Sequence, residues 1–140
     1  MEHWQQGRWQ GAQQAYSPNY EARPPATPID LVVLHNISLP PFEYGHHAIE
    51  NLFTNQINPA EHPFFSILTE LRVSSHFLIK RTGETIQFVS CDDMAYHAGI
   101  SQFQGREKCN HFSFASDMEA AVWDRFPKPH NTAVPMVVPP

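Results

Sequence analysis

A chain of 140 residues predicts one domain with a single core, and a hydrophobic fraction of 41% is enough for a packed globule. The formal net charge of -5, without a cluster of Lys and Arg, argues against a nucleic-acid partner. No apolar run is long enough to cross a bilayer, and the start lacks the basic opening and apolar stretch of a secretory signal. We therefore expect a cytoplasmic protein without a membrane partner, in which Cys91 and Cys109 are reduced thiols.

The first quarter of the chain leads into a buried strand. Residues 1–28 are rich in Gln, Tyr and Pro, which predicts an extended segment that wraps the domain. Residues 29–34 form an apolar run rich in branched side chains, typical of a strand that is covered on both faces. His35 and Asn36 follow at its end. Because ligands of α/β sheets gather outside the carboxyl ends of the strands, His35 is well placed for chemistry.

The middle of the chain alternates between helical and strand patterns. Residues 46–56 and 63–71 place apolar side chains at helical spacing, which predicts two short helical elements. Residues 75–79 and 85–89 predict two antiparallel strands, with Gly83 in the tight turn between them.

The remaining segments predict a loop and a tail. Residues 92–99 mix polar and aromatic side chains, which suits the rim of a cleft. From Pro127 onward, prolines interrupt any helix or central strand, so we expect an unstructured tail.

Five motifs, spread from residue 17 to residue 110, resemble those of one enzyme family. Residues 31–41 read Leu-Val-Val-Leu-His-Asn-Ile-Ser-Leu-Pro-Pro, residues 71–79 read Leu-Arg-Val-Ser-Ser-His-Phe-Leu-Ile, and residues 96–101 read Tyr-His-Ala-Gly-Ile-Ser. Residues 17–24 and 103–110 match as well. In combination these motifs are highly specific, and the chain resembles the AmpD-type 1,6-anhydro-N-acetylmuramyl-L-alanine amidases of the amidase-2 superfamily. The likeness to phage amidase lysozymes and peptidoglycan recognition proteins is looser.

This resemblance implies an α/β fold, with a mixed central β-sheet flanked by helices and one Zn²⁺ in an open cleft. The family's zinc has two His ligands and one Asp ligand, and His35 matches the first of them. The fourth position holds water, which suits a metal that generates hydroxide near neutral pH. The implied substrate is a small anhydromuropeptide, which is cut between the lactyl group of anhydromuramic acid and L-alanine, and we expect a monomer.

Four further residues on the matched motifs are predicted to contact the substrate. Arg72 can hold a carboxylate in bidentate fashion, while Asn36 and His97 can hydrogen-bond sugar or peptide amides. Lys108 can attract the acidic peptide stem, although a solvated charge is an equally good interpretation.

Structural roles are alternative interpretations for Arg72, His97 and His76. Arg72 can instead form a surface ion pair with Glu70 or Glu50, and the imidazole of His97 can simply cap a loop. His76 follows Ser75 in a matched motif, but we expect it to belong to a hydrogen-bonded core network and leave it outside the site.

The candidate catalytic residue is Asp117. The family has a strand reading Ile-Gly-Ile-Glu-Leu-Glu-Gly, whose first Glu is catalytic, and the aligned run in this chain places Asp117 at that position. The shorter side chain would move the reacting oxygen by about 1 Å, which can cost on the order of a hundredfold in rate. Glu119 faces the same side of a strand, but the family gives the role to the earlier position.

The resemblance ends after this strand. The family continues with a C-terminal helix and a His, Lys and Asp motif that brings two zinc ligands and the oxyanion-stabilising Lys, and we find no match to either in the 140 residues. His111 and His130 are poor replacement ligands, because a proline-rich tail offers them no scaffold. We therefore divide the chain into an extended segment at 1–28, a partial amidase-2 domain at 29–123 and a divergent tail at 124–140.

One hypothesis for the tail is translation out of frame. Codons for residues 126–132, read two bases on, can spell Ser-Glu-Ala-Ala-Gln-Tyr, which resembles the start of the missing helix. With two ligands unmatched, we expect weak zinc binding and impaired hydrolysis. A muropeptide-binding module without activity and a fragment without function are the alternatives.

Overall fold

The computed structural model describes residues 3–41 and 43–120, together with the backbone of residues 136–138. In this part of the chain there are twelve short strands, one α-helix and two 3-10 helices. The strands are β1 (Trp4–Gln5), β2 (Arg8–Trp9), β3 (Gln13–Gln14), β4 (Tyr20–Ala22), β5 (Leu31–Ile37), β6 (Phe77–Ile79), β7 (Thr85–Gln87), β8 (Asp93–Ala95), β9 (Gln102–Phe103), β10 (Arg106–Glu107), β11 (Ser113–Glu119) and β12 (Met136–Val138). The helix α1 is Ala48–Phe53, and the 3-10 helices are Pro63–Ile67 and Cys109–His111.

Six strands form the central sheet, in the order β12-β5-β11-β6-β7-β3. Strand β11 lies parallel to both β5 and β6, whereas β7 runs antiparallel to β6 and β12 antiparallel to β5. The predicted mixed sheet is therefore confirmed, and so is the antiparallel pair around Gly83. Because β5 and β11 are parallel, their carboxyl ends lie at the same edge of the sheet. His35 is close to this edge, where ligands of α/β sheets usually bind.

The helical elements are few and short in the described residues. Helix α1 occupies the middle of the predicted 46–56 segment and buries Ala48, Ile49, Leu52 and Phe53. The segment predicted at 63–71 is the 3-10 helix Pro63–Ile67, where Pro63 takes the first position and His62 accepts the Phe64 N–H through Nδ1. None of the described helices has the length and apolarity to span a membrane.

Two groups of buried apolar side chains flank the middle of the sheet. The larger one joins α1 and the 3-10 helix Pro63–Ile67 to Leu78, Ile86 and Phe88 of the sheet region. The smaller one contains Leu31 and Val33 of β5 with Cys109 and Phe112. Leu31, Val33 and His35 alternate along β5, so they share one face of the sheet. His35 thus lies beyond the smaller cluster on that covered face.

The N-terminal segment is built into the domain through short pairings. The residues of β3 add a parallel edge strand to β7, and Tyr20–Ala22 pairs antiparallel with Asp93–Ala95. Arg23 then anchors the chain, since its guanidinium donates to the carbonyls of Cys91, Asn110 and His111.

The expectation of an unstructured tail is wrong for Met136–Val138. Their backbone pairs antiparallel with Val32–Leu34 of β5, which places them at the edge of the central sheet. An edge strand can tolerate neighbouring prolines because only one side of it must supply hydrogen bonds. The other residues of the 124–140 tail, including the 126–132 stretch, lie outside the described residues. Cys91 and Cys109 are both free thiols, as expected.

Candidate active site

The centre of the site is the pair formed by His35 and Asp117. The parallel register of β5 and β11 places the two residues directly opposite each other near the carboxyl ends of both strands. Their side chains meet on the covered face, with 3.0 Å between His35 Nδ1 and Asp117 Oδ1. Asp117 is 6% exposed, and the His35 side chain is 20% exposed. A buried carboxylate is thus held against an imidazole that keeps some contact with solvent.

The carboxylate of Asp117 retains hydrogen-bonding capacity. The described residues give Asp117 Oδ1 the close contact with His35 Nδ1 but no hydrogen bond. A buried oxygen in this state is costly unless another group reaches it. Oδ1 is itself buried, and the imidazole of His35 is the polar group that the described residues bring to it.

A second histidine, His97, packs against the pair. Its ring centroid lies 5.5 Å from that of His35 in an edge-on arrangement. The backbone N–H groups of His97 and Ala98 both donate to the side-chain oxygen of Asn110, which fixes the loop after β8. Burial, followed by electrostatic interaction with His35, His76 and Arg23, lowers the pKa of His97 to about 3. The imidazole is therefore neutral at physiological pH.

His76 is a satisfied core residue, as predicted. It is fully buried, its Nδ1 accepts the Ala115 N–H at 3.0 Å, and its Nε2 lies 2.8 Å from the carbonyl oxygen of Asp93. Burial lowers its pKa to about 4, so the ring is neutral and Nε2 carries the proton that Asp93 accepts. The ring ties β6, β11 and β8 together.

Glu119 has a structural role. Its two carboxylate oxygens accept the backbone N–H groups of Gly45 and Arg81, at 2.9 and 3.1 Å. Lys80 lies beside it, with Nζ donating to the His46 carbonyl at 2.7 Å and to Glu50 at 3.2 Å. This buried network fastens the loop after β5 to the sheet and leaves Asp117 as the carboxylate of the site.

The other predicted contact residues lie outside the His35–Asp117 pair. Asn36 alternates with His35 along β5, so its side chain projects to the other face of the sheet. Arg72 is exposed, and its guanidinium donates to the backbone carbonyls of Thr69 and Leu71. Lys108 is exposed at the start of the 3-10 helix Cys109–His111. Their roles in substrate binding stay predictions, and Glu50, the alternative partner of Arg72, pairs with Lys80 instead.

The described residues do not by themselves fit a zinc ion. Across residues 3–41 and 43–120, no three His, Cys, Asp or Glu side chains come together in a way that could hold a metal. His35 and Asp117 are close to each other, but neither His97 nor His111 completes a ligand set with them. His130 lies outside the described residues.

Two features of the site had no clear signal in the sequence. Ser113, at the start of β11, is fully buried and lies 2.9 Å from His97 Nε2 through its hydroxyl. The buried network of Lys80 and Glu119 was also unforeseen, because charged residues are usually assigned to the surface. For Ser113, the sequence shows only a small polar residue four positions before Asp117, which gives no sign of burial.

The family model for N-acetylmuramoyl-L-alanine amidase matches residues 25–135, which is most of the chain and contains the whole His35–Asp117 site. The chain belongs to the N-acetylmuramoyl-L-alanine amidase family.

Within that family the relatives define the AmpD type. The 1,6-anhydro-N-acetylmuramyl-L-alanine amidase AmpD of Escherichia coli K12 is 50% identical over 115 residues, which are 82% of this chain and 63% of the relative. Its counterpart from Haemophilus influenzae is 43% identical, over 77% of this chain and 59% of the relative. The chain thus spans about three fifths of the length of the curated relatives it matches.

Solved structures agree on the fold. A crystal structure of a selenomethionine AmpD derivative superimposes with a TM-score of 0.81 at 46% identity, covering 84% of this chain and 65% of the other. The solution structure of Citrobacter freundii AmpD gives a TM-score of 0.51 at 48% identity, over 79% of this chain and 59% of that chain. The amidase fold expected from the motifs is therefore confirmed.

Proposed function

We propose that this chain acts on anhydromuropeptides in the cytoplasm, where it hydrolyses the amide between anhydromuramic acid and L-alanine during cell-wall recycling. The observation that carries the proposal is the His35–Asp117 pair, 3.0 Å apart at the carboxyl ends of two parallel strands. Its support from outside the chain is the 50% identity with an amidase whose name states that activity.

Asp117 is the proposed proton carrier of the reaction. It is buried, so its carboxylate is shielded from water, and its Oδ1 has no hydrogen-bond partner among the described residues. A general base needs a free oxygen within reach of the proton that it removes. Glu119 lacks such an oxygen, because backbone N–H groups engage both of its carboxylate atoms.

The proposed substrate contacts are Asn36, Arg72, His97 and Lys108. Arg72 and Lys108 are exposed cations, and their long side chains suit the carboxylates of a peptide stem. To make such a contact, the Arg72 guanidinium would have to give up its hydrogen bonds to two backbone carbonyls.

Zinc remains the proposed cofactor, with His35 as one ligand. The described residues provide no complete ligand set. We therefore propose that the 140-residue chain binds zinc weakly and that its hydrolysis is impaired, because a site with one matched ligand lacks the three protein ligands that hold a catalytic zinc.

A muropeptide-binding module without hydrolysis is the second candidate function. The lack of three convergent metal ligands among the described residues favours it over a fully active enzyme. Such a module would keep the contact residues and lose only the chemical step.

The test is to purify the chain and to measure zinc by elemental analysis, together with hydrolysis and binding of anhydromuramyl tripeptide. The matched variants are His35→Ala and His47→Ala, since the side chain of His47 is 87% exposed and contacts Glu50. Turnover that is lost in His35→Ala and kept in His47→Ala would support the amidase. Stoichiometric zinc with rapid turnover would overturn the proposed impairment.

A further variant separates the two candidate functions. If hydrolysis is slow because the Asp117 carboxylate is too short, Asp117→Glu should raise the rate by up to about a hundredfold. Binding of the tripeptide without turnover in the parent chain or in Asp117→Glu would favour the binding module. Neither binding nor turnover would leave both functions unsupported.

A further inference from the structure

The side chain of Asn110 joins two loops. Its oxygen Oδ1 accepts the backbone N–H groups of His97 and Ala98, at 3.2 and 3.0 Å. Asn110 is itself held from a third segment, because Arg23 donates to its carbonyl oxygen at 3.2 Å. The loop after β8 is thus fastened to a residue whose own position is fixed.

Ser101 joins the same two loops a few residues further on. Its Oγ accepts the Cys109 N–H at 2.9 Å, and its carbonyl oxygen accepts the Lys108 N–H at 3.1 Å. We call these two hydrogen bonds, together with the two that Asn110 accepts, the clasp.

Two of the proposed substrate contacts lie on opposite sides of the clasp. His97 belongs to one loop, and its ring centroid is 5.5 Å from that of His35. Lys108 belongs to the other loop and has a left-handed backbone, with φ 58° and ψ 58°. This conformation is unfavourable for a residue with a Cβ atom and persists only where the surroundings hold it. The hydrogen bond from the Lys108 N–H to Ser101 is one such restraint.

We infer that Asn110 is a positioning residue, which sets the spacing between His97 and Lys108 through the clasp. Its consequence for substrate rests on the proposed function: an anionic peptide stem can use both contacts only while the two loops keep that spacing. The apparent affinity of a ligand falls with the fraction of molecules in the arrangement that binds it. Without the Asn110 acceptor, two backbone N–H groups lose their partner, and the loops can separate.

The first measurement is amide hydrogen exchange in the folded, complete chain. Asn110→Leu removes the acceptor at similar size, whereas Asn110→Asp keeps an oxygen that can accept both N–H groups. In Asn110→Leu we expect about tenfold faster exchange at His97 and Ala98. Exchange at Lys108 and Cys109 should quicken with them, although neither N–H bonds to Asn110. In Asn110→Asp all four amides should exchange nearly as in the parent chain.

The second measurement is the affinity for anhydromuramyl tripeptide. The Kd should rise about tenfold in Asn110→Leu, since two lost hydrogen bonds lower the fraction of chains with both contacts in place. Asn110→Asp should bring it back to within about threefold of the parent value. The matched control is Asn58→Leu, because Asn58 is an exposed loop residue whose Oδ1 also accepts a backbone N–H, that of Ala60.

Unchanged exchange at Lys108 and Cys109 in Asn110→Leu would overturn the inference. So would an unchanged Kd in a chain that binds the tripeptide, a failure of Asn110→Asp to restore binding, or an equal loss of affinity in Asn58→Leu. If Asn110→Leu does not fold, Ser101→Ala removes a single acceptor of the clasp, and unchanged exchange at His97 and Ala98 there refutes the coupling.

Failure of the proposed function gives a different result. A parent chain that does not bind the tripeptide counts against that function. The clasp is then decided by hydrogen exchange alone, which needs neither zinc nor turnover: linked exchange of the two loops supports the positioning role of Asn110, and independent exchange refutes it.

Discussion

Acid should destabilise this fold through two histidines, His76 and His97, that are buried and neutral in the described part of the chain. The pKa of His76 is lowered from 6.5 to about 4 and that of His97 from 6.5 to about 3, in both cases mainly by burial. In the unfolded chain each imidazole takes up a proton as the pH falls below about 6.5, whereas in the folded chain it does not. The stability from these groups is therefore complete above pH 6.5 and is lost progressively below it, until the folded pKa values are reached.

The size of this destabilisation follows from the pH range between the unfolded and the folded pKa of each histidine. Each histidine lowers the free energy of unfolding by about 1.4 kcal/mol for every pH unit between its unfolded and folded pKa values. From pH 6.5 to pH 5 that is about 2 kcal/mol for His76 and about 2 kcal/mol for His97, so about 4 kcal/mol together. A small domain is stable by about 5–15 kcal/mol, which means that this chain should approach unfolding near pH 5.

The measurement is urea unfolding at pH 7, 6 and 5. Below pH 6 the free energy of unfolding should fall by nearly 3 kcal/mol per pH unit, and His97→Gln should remove about half of that slope. The control His47→Gln changes an imidazole that is 87% exposed and should leave the slope unaltered. Equal stability at pH 7 and pH 5, or a slope that His97→Gln does not change, would refute the reasoning.

Two stability predictions follow from other buried contacts, with urea unfolding at pH 7 as the measurement. Lys80→Met should cost about 3–5 kcal/mol, because Lys80 is 8% exposed and its loss leaves the buried carboxylate of Glu119 without its cation. The exposed pair of Arg106 and Asp30 is the comparison, and Arg106→Ala should cost less than about 1 kcal/mol. Equal effects of the two variants would contradict the burial argument. Phe88→Ala should cost about 3–5 kcal/mol, since the ring is fully buried in the larger core cluster, and a loss below about 1 kcal/mol would show that this core is not packed as described.

Local patterns predicted the strands and the position of one key residue. The apolar run before His35 is indeed a strand, Leu31–Ile37, although it continues three residues further than the run itself. The two strands around Gly83 pair as expected, and α1 lies inside the predicted helical segment. These features depend on side-chain periodicity and turn chemistry, which neighbouring residues encode.

Pairings between distant segments were beyond the reach of such patterns. Gln13–Gln14 is polar and has no strand signature, yet it joins the central sheet because β7 offers an open edge. Met136–Val138 lies among prolines and still pairs with β5. In both cases the partner strand provides the hydrogen bonds, so the local sequence contributes little to the outcome.

The sequence by itself determined the family motifs, the strand that ends at His35 and the presence of a carboxylate at position 117. Only the tertiary structure decided that β11 lies beside β5 in the register that sets Asp117 against His35. It likewise decided that Ser113 meets His97 and that Lys80 and Glu119 are buried. The physical reason is that periodicity is a property of adjacent residues, whereas strand register and burial depend on how the whole chain packs its apolar faces together.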